Sequence, residues 1–108
     1  MVAARNFRPR SGPGEVDLVC WDRQSLVFVE VKTRTTDEYG EPDRAIDAGK
    51  RKALVRCARE YARRAGVPWD SVRFDVVDVV LGERARIEHV RDAFPSCAGA
   101  APQRADNA

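Results

Sequence analysis

Asp17, Glu30 and Lys32 are the residues of this chain whose types and spacing point most directly to chemistry. Asp17 lies in the apolar run EVDLVCW and Glu30 in LVFVEVKTR, with Lys32 two residues further on. Both runs read as strands, residues 15–21 and 26–34, joined by the short polar segment Asp22 to Ser25. If Arg23 and Gln24 form the turn, paired residue numbers sum to 47, which sets Asp17 opposite Glu30 and Glu15 opposite Lys32. The same register matches Val19 with Phe28 and Leu18 with Val29. Cross-strand neighbours carry Cβ atoms roughly 4.5–5.5 Å apart. Two carboxylates at that distance in apolar surroundings repel each other with little water to relieve them. A hard divalent cation resolves the repulsion, because Mg²⁺ takes carboxylate oxygens and keeps room for water and phosphate. Lys32 shares the face of Glu30, where it could orient or deprotonate a water or stabilise charge on a phosphate. A Glu-x-Lys pair on a solvated sheet face would need no such function. The apolar residues on both sides of this one are what favour a site.

Charge is unevenly distributed. Net charge is only +2, yet residues 11–43 hold eight acids against three bases, and residues 44–64 hold eight bases against Asp47 and Glu60. An acidic focus beside a basic segment suits a metal next to a phosphate. The basic segment reads as a helix from an Asp47 N-cap to about Ala65, stopped by Gly66 and Pro68. Leu54, Ala58, Tyr61 and Ala65 form its apolar stripe, and Lys52, Arg56, Arg59 and Arg63 repeat that spacing on the opposite side. A merely solvated helix face would give the same pattern. Arg34 continues the Glu30 and Lys32 face and is a further candidate for a phosphate contact, with solvation as the alternative.

Around these elements, residues 1–14 run into the loop signal Arg-Ser-Gly-Pro-Gly, and Thr35 to Asp43 reads as a polar loop. Residues 72–81 and 86–90 read as two more strands. The expected architecture is α/β, a mixed sheet with a flanking helix, forming one domain over residues 1–94 with a disordered tail at 95–108. Apolar residues are 44% of the chain and charged residues 33%, as in a globular protein. No apolar run is long enough for a membrane span, and Met1 to Arg10 does not read as a signal peptide. Three separated cysteines without a Cys-x-x-Cys pair point to a reducing, cytoplasmic setting. The single histidine, His89, reads as structural, and packing suits Trp21 and Trp69 better than base stacking.

The hairpin run Gly14-Glu-Val-Asp-Leu-Val followed by Leu26-Val-Phe-Val-Glu-Val-Lys-Thr-Arg resembles the YraN-like family of uncharacterised bacterial proteins. That family is similar to the PD-(D/E)XK nuclease superfamily, which includes restriction endonucleases. Supporting matches are Arg5-Asn6-Phe7-Arg8, the helix opening near Lys50, Arg73-Phe74-Asp75-Val76-Val77 and His89-Val90-x-x-Ala93-Phe94. The resemblance implies a restriction-endonuclease-like fold, with Asp17 and Glu30 as metal carboxylates, Lys32 as catalytic lysine, and Glu15 and Lys50 as accessories. It implies Mg²⁺, or Mn²⁺ in its place, and hydrolysis of DNA phosphodiesters. Lys50, Lys52, Arg56, Arg59, Arg63 and Arg34 would then contact nucleic acid. Such proteins usually open with a helix before the Arg-Asn-x-Arg segment, so a missing first helix and one uncovered sheet face are also expected. Two alternatives stay open: a non-catalytic nucleic-acid-binding module of nuclease ancestry, and a small scaffold protein with a structural ion.

Overall fold

In the computed structural model, residues 1–35 and 48–94 are described. Five strands form one sheet in the sequential order β1 (Val2–Phe7), β2 (Val16–Asp22), β3 (Ser25–Thr35), β4 (Val72–Leu81), β5 (Arg86–Val90). Helix α1 (Ala48–Ala65) crosses between β3 and β4, which pair in parallel, whereas the other neighbours are antiparallel. The sheet is therefore mixed and the protein α/β, as expected. The helix, the hairpin and both later strands fall within a residue or so of the positions read from sequence. Asp47, the expected N-cap, and the segment from 36 to 43 lie outside the described residues, as does the tail from 95.

Strand β1 is a correction. The sequence pattern assigns no strand ahead of the Arg-Ser-Gly-Pro-Gly loop signal, but Val2–Phe7 pairs antiparallel with β2, in a register that shifts between Val2 and Ala4. Arg5 and Asn6 interrupt any alternation of apolar residues, so the strand has no pattern of its own. Its order comes from the backbone groups that the β2 edge offers.

The core lies between α1 and one face of the sheet. Leu54, Val55, Cys57, Ala58 and Ala62 pack against Val19, Leu26, Phe28, Phe74 and Val76. Tyr61 is half-buried with its ring edge-on to Phe7 and Phe28, while Ala65, expected on the stripe, is exposed. Phe94 closes the core by stacking on Phe74 at 4.8 Å. Gly14, at φ 119°, lets the loop before β2 pass close to the helix; a Cβ there would stand 3.0 Å from Cys57 Sγ. No described helix lies over the other face of the sheet. There Leu18, Val27, Val29 and Val77 line a shallow groove edged by Arg73, Asp75 and His89.

Candidate metal and phosphate site

The β2–β3 ladder has the register read from sequence: Leu18 pairs with Val29, Val19 with Phe28 and Asp22 with Ser25. Backbone pairing runs as far as Leu18 and Val29. One position beyond, the Asp17 side chain takes over, its Oδ2 accepting the Val31 N–H at 2.8 Å. Asp17 is therefore both a candidate ligand and a fixed part of the strand pairing. Glu30 is buried on the α1 side of β3, the face it shares with Phe28 and Lys32 by alternation. Burial pushes its carboxyl pKa up, the Lys50 ammonium opposes this, and the neighbouring Asp17 raises it further. Asp17 and Glu30 are thus close enough to act on each other.

Lys50, in the first turn of α1, forms an ion pair with Glu30 Oε2 while remaining half-exposed. The helix start is in this way tied to the carboxylates. Lys32 is half-buried on β3, in parallel register with Asp78 of β4. Arg34 does not face outward as a simple phosphate contact: its Nη2 lies 3.6 Å from Oδ2 of the buried Asp78. Glu15 pairs with Arg8 at 3.3 Å rather than with Lys32. Among the described residues, no group of three or more His, Cys, Asp and Glu side chains is arranged to hold a metal. A pair of carboxylates still suits a hard ion that keeps much of its water and takes phosphate oxygens for the rest.

Lys52, Arg56, Arg59 and Arg63 are all exposed, opposite the buried side of α1. Two of them have partners: Arg56 Nη2 donates to the Pro13 carbonyl at 2.8 Å, and the Arg59 guanidinium lies 4.5 Å over the Trp69 ring. Trp69 also packs edge-on to Phe74, and Trp21 packs beside the core, so both tryptophans have packing roles.

Three further carboxylates are buried without the sequence reading having foreseen it: Glu60, Asp75 and Asp78. Asp75 and Asp78 sit in VRFDVVDVVL, and the criterion that singled out Glu30, a carboxylate inside an apolar strand, applies to both. Asp75 is the hub of a polar network on the sheet face away from α1. It accepts Arg73 Nε at 2.9 Å and Nη2 at 3.0 Å, the Asp92 N–H at 3.0 Å, and pairs with His89 Nε2 at 2.7 Å. Burial alone would raise its pKa, but Arg73, the Asp92 N–H and His89 together hold it below the ordinary carboxylate value. His89 is structural, as expected.

The fold and site define a small α/β protein in which a hairpin holds two interacting carboxylates beside lysines and a basic helix. Residues 1–79 match the model of the uncharacterised protein family UPF0102, and the chain belongs to that family. A UPF0102 protein of Solibacter usitatus is 53% identical over 93 residues, covering 86% of this chain and 70% of the relative. Relatives in Rhodococcus jostii and Geobacter sulfurreducens are 45% and 42% identical over 95 residues, covering 86% of this chain and 79% and 73% of their own lengths. Membership of an uncharacterised bacterial family is what the hairpin motif led us to expect. The names of these relatives state no activity.

Proposed function

We propose that this chain is a divalent-metal-dependent nuclease of restriction-endonuclease-like fold, hydrolysing phosphodiester bonds of DNA. The observation that carries the reading is Glu30, a buried carboxylate raised by burial and by Asp17, on the strand face that also bears Lys32. Asp17 and Glu30 would hold Mg²⁺ or Mn²⁺, which supplies polarisation of a phosphate oxygen and a bound water of lowered pKa. Lys32 supplies positive charge where negative charge grows on the phosphate. Lys50 offsets the Glu30 charge in the metal-free protein, and its exposed position lets it move to a phosphate oxygen.

A second reading, a binding module of nuclease ancestry without turnover, is favoured by the fact that both carboxylates already have partners within the chain. Asp17 holds the Val31 N–H and Glu30 holds Lys50. The test is to incubate the purified chain with branched, duplex and single-stranded DNA in Mg²⁺, Mn²⁺ or EDTA. Cleavage should need the metal and vanish in Asp17→Asn and Lys32→Ala. Cleavage that survives both substitutions, or none with either metal, would overturn the nuclease reading.

A further inference from the structure

The loop before β2 and the exposed side of α1 enclose a groove of about 390 Å³. Lys52, Arg56, Arg59 and Arg63 line it, with Val55 and Glu60 at its floor and Ser11 on the loop side. Its wall is built in, because the loop is fastened at two points. The Glu60 carboxylate accepts the N–H groups of Arg10 at 2.8 Å and Ser11 at 3.0 Å, and Arg56 holds the Pro13 carbonyl. The Arg10 N–H, the Ser11 hydroxyl and N–H, and Arg64 keep the Glu60 pKa down at about 2, so its charge is fixed and already matched. The four cations outnumber it, and they follow one line along the helix. At 1.5 Å per residue, Lys52 to Arg63 spans about 16 Å. Lys50, two residues before Lys52, points to the other side of the helix, where its ion pair ties the first turn to Glu30.

We propose that this groove takes the sugar–phosphate backbone of a single nucleic-acid strand, so that the substrate class is one with an unpaired strand. The fastened loop on one side and the single line of cations on the other fit the groove to one backbone. The lining has no aromatic residue, and the nearby Trp69 ring is covered by Arg59. Phosphates are therefore recognised rather than bases, and binding is independent of sequence. Only the link to cleavage rests on the nuclease reading; the binding does not.

The experiment is fluorescence anisotropy of the full chain in EDTA with short oligo-thymidine, a blunt duplex of equal length, and tripolyphosphate as competitor. The single strand should bind roughly tenfold more tightly than the duplex. Its affinity should fall with salt at a log–log slope of about −3, as about four phosphate contacts on a single strand require. The Lys52→Gln, Arg63→Gln double variant leaves the loop fastenings in place and should reduce the slope to about half. Duplex binding as tight as strand binding, or an unchanged slope in the variant, overturns the proposal. So does displacement of the strand by an equal concentration of tripolyphosphate, which would mark a small-polyphosphate pocket. Strand binding without cleavage in any metal would defeat the nuclease reading alone. Metal-dependent cleavage with no preference for an unpaired strand would defeat this proposal alone.

Discussion

Asp17 has two jobs that different substitutions separate. Asn at this position keeps an acceptor for the Val31 N–H and removes one of the two repelling charges. In the metal-free protein Asp17→Asn should therefore leave the melting temperature unchanged or slightly raised, whereas Asp17→Ala strands the N–H and should cost about 1 kcal/mol. Both should abolish the Mg²⁺-dependent rise in melting temperature that a bound ion gives by mass action. If Asp17→Asn retains that rise, the ion does not sit on Asp17. Glu30 sets a pH dependence of the opposite sign to that of Asp75. Because its folded pKa is raised, the folded state binds the extra proton, and stability declines as pH climbs from the ordinary glutamate range to the folded value. Asp17→Asn should flatten that decline in a series of metal-free melts. The register of the β2–β3 hairpin was legible because strand alternation and a two-residue turn fix it by arithmetic. The Val31 bond was not, since pattern alone does not tell when a side chain replaces a backbone partner.

Among the elements, the turn of the β2–β3 hairpin and strand β5 hold the least expected chemistry. Arg23 has φ 59°, a left-handed conformation that costs a non-glycine residue roughly 1–2 kcal/mol. Arg23→Gly should therefore raise stability by about 1 kcal/mol, seen as a higher denaturant midpoint at unchanged slope. Strand β5 and the residues after it are clipped to β4 by Asp75, through His89, the Asp92 N–H and the adjoining Ala93 N–H bond to the Phe74 carbonyl at 2.7 Å. Asp75→Asn takes from the half-buried Arg73 one of its two carboxylate partners, Asp22 being the other, and should destabilise by about 2 kcal/mol at neutral pH. The Asp75 pKa is depressed, so its contribution is present above the ordinary aspartate value and lost as pH falls through the folded one. The wild-type and Asp75→Asn melting curves should accordingly converge in strong acid. Equal destabilisation at every pH would mean that shape, rather than charge, matters there. Both strands of this pair were legible from their apolar content. The clip was not, because Asp75 and His89 are 14 residues apart and meet only through the register of two strands.

At the scale of the whole molecule, the alternation of sheet and helix patterns gave the α/β class, and the basic side of α1 proved to be its exposed side. What stayed hidden was set by partners distant in sequence: β1, which borrows its order from β2, and Glu60, a buried acid that fastens a loop some 50 residues away. No described helix is long and apolar enough to cross a membrane. The parallel β3–β4 pair has a further consequence, for the order of assembly. Its two strands are joined only through α1, so their pairing must wait for a long loop to close, whereas the β2–β3 hairpin closes over two residues. The hairpin, and with it the meeting of Asp17 and Glu30, belongs to the early part of folding, and the docking of Phe94 on Phe74 to the late part. Stopped-flow chevrons can read this division. Arg23→Gly should speed refolding and leave the unfolding limb in place, while Phe94→Ala should speed unfolding and leave the refolding limb in place. Exchange of those two signatures would mean that the sheet is built from its β4–β5 end, with the carboxylate pair assembled last.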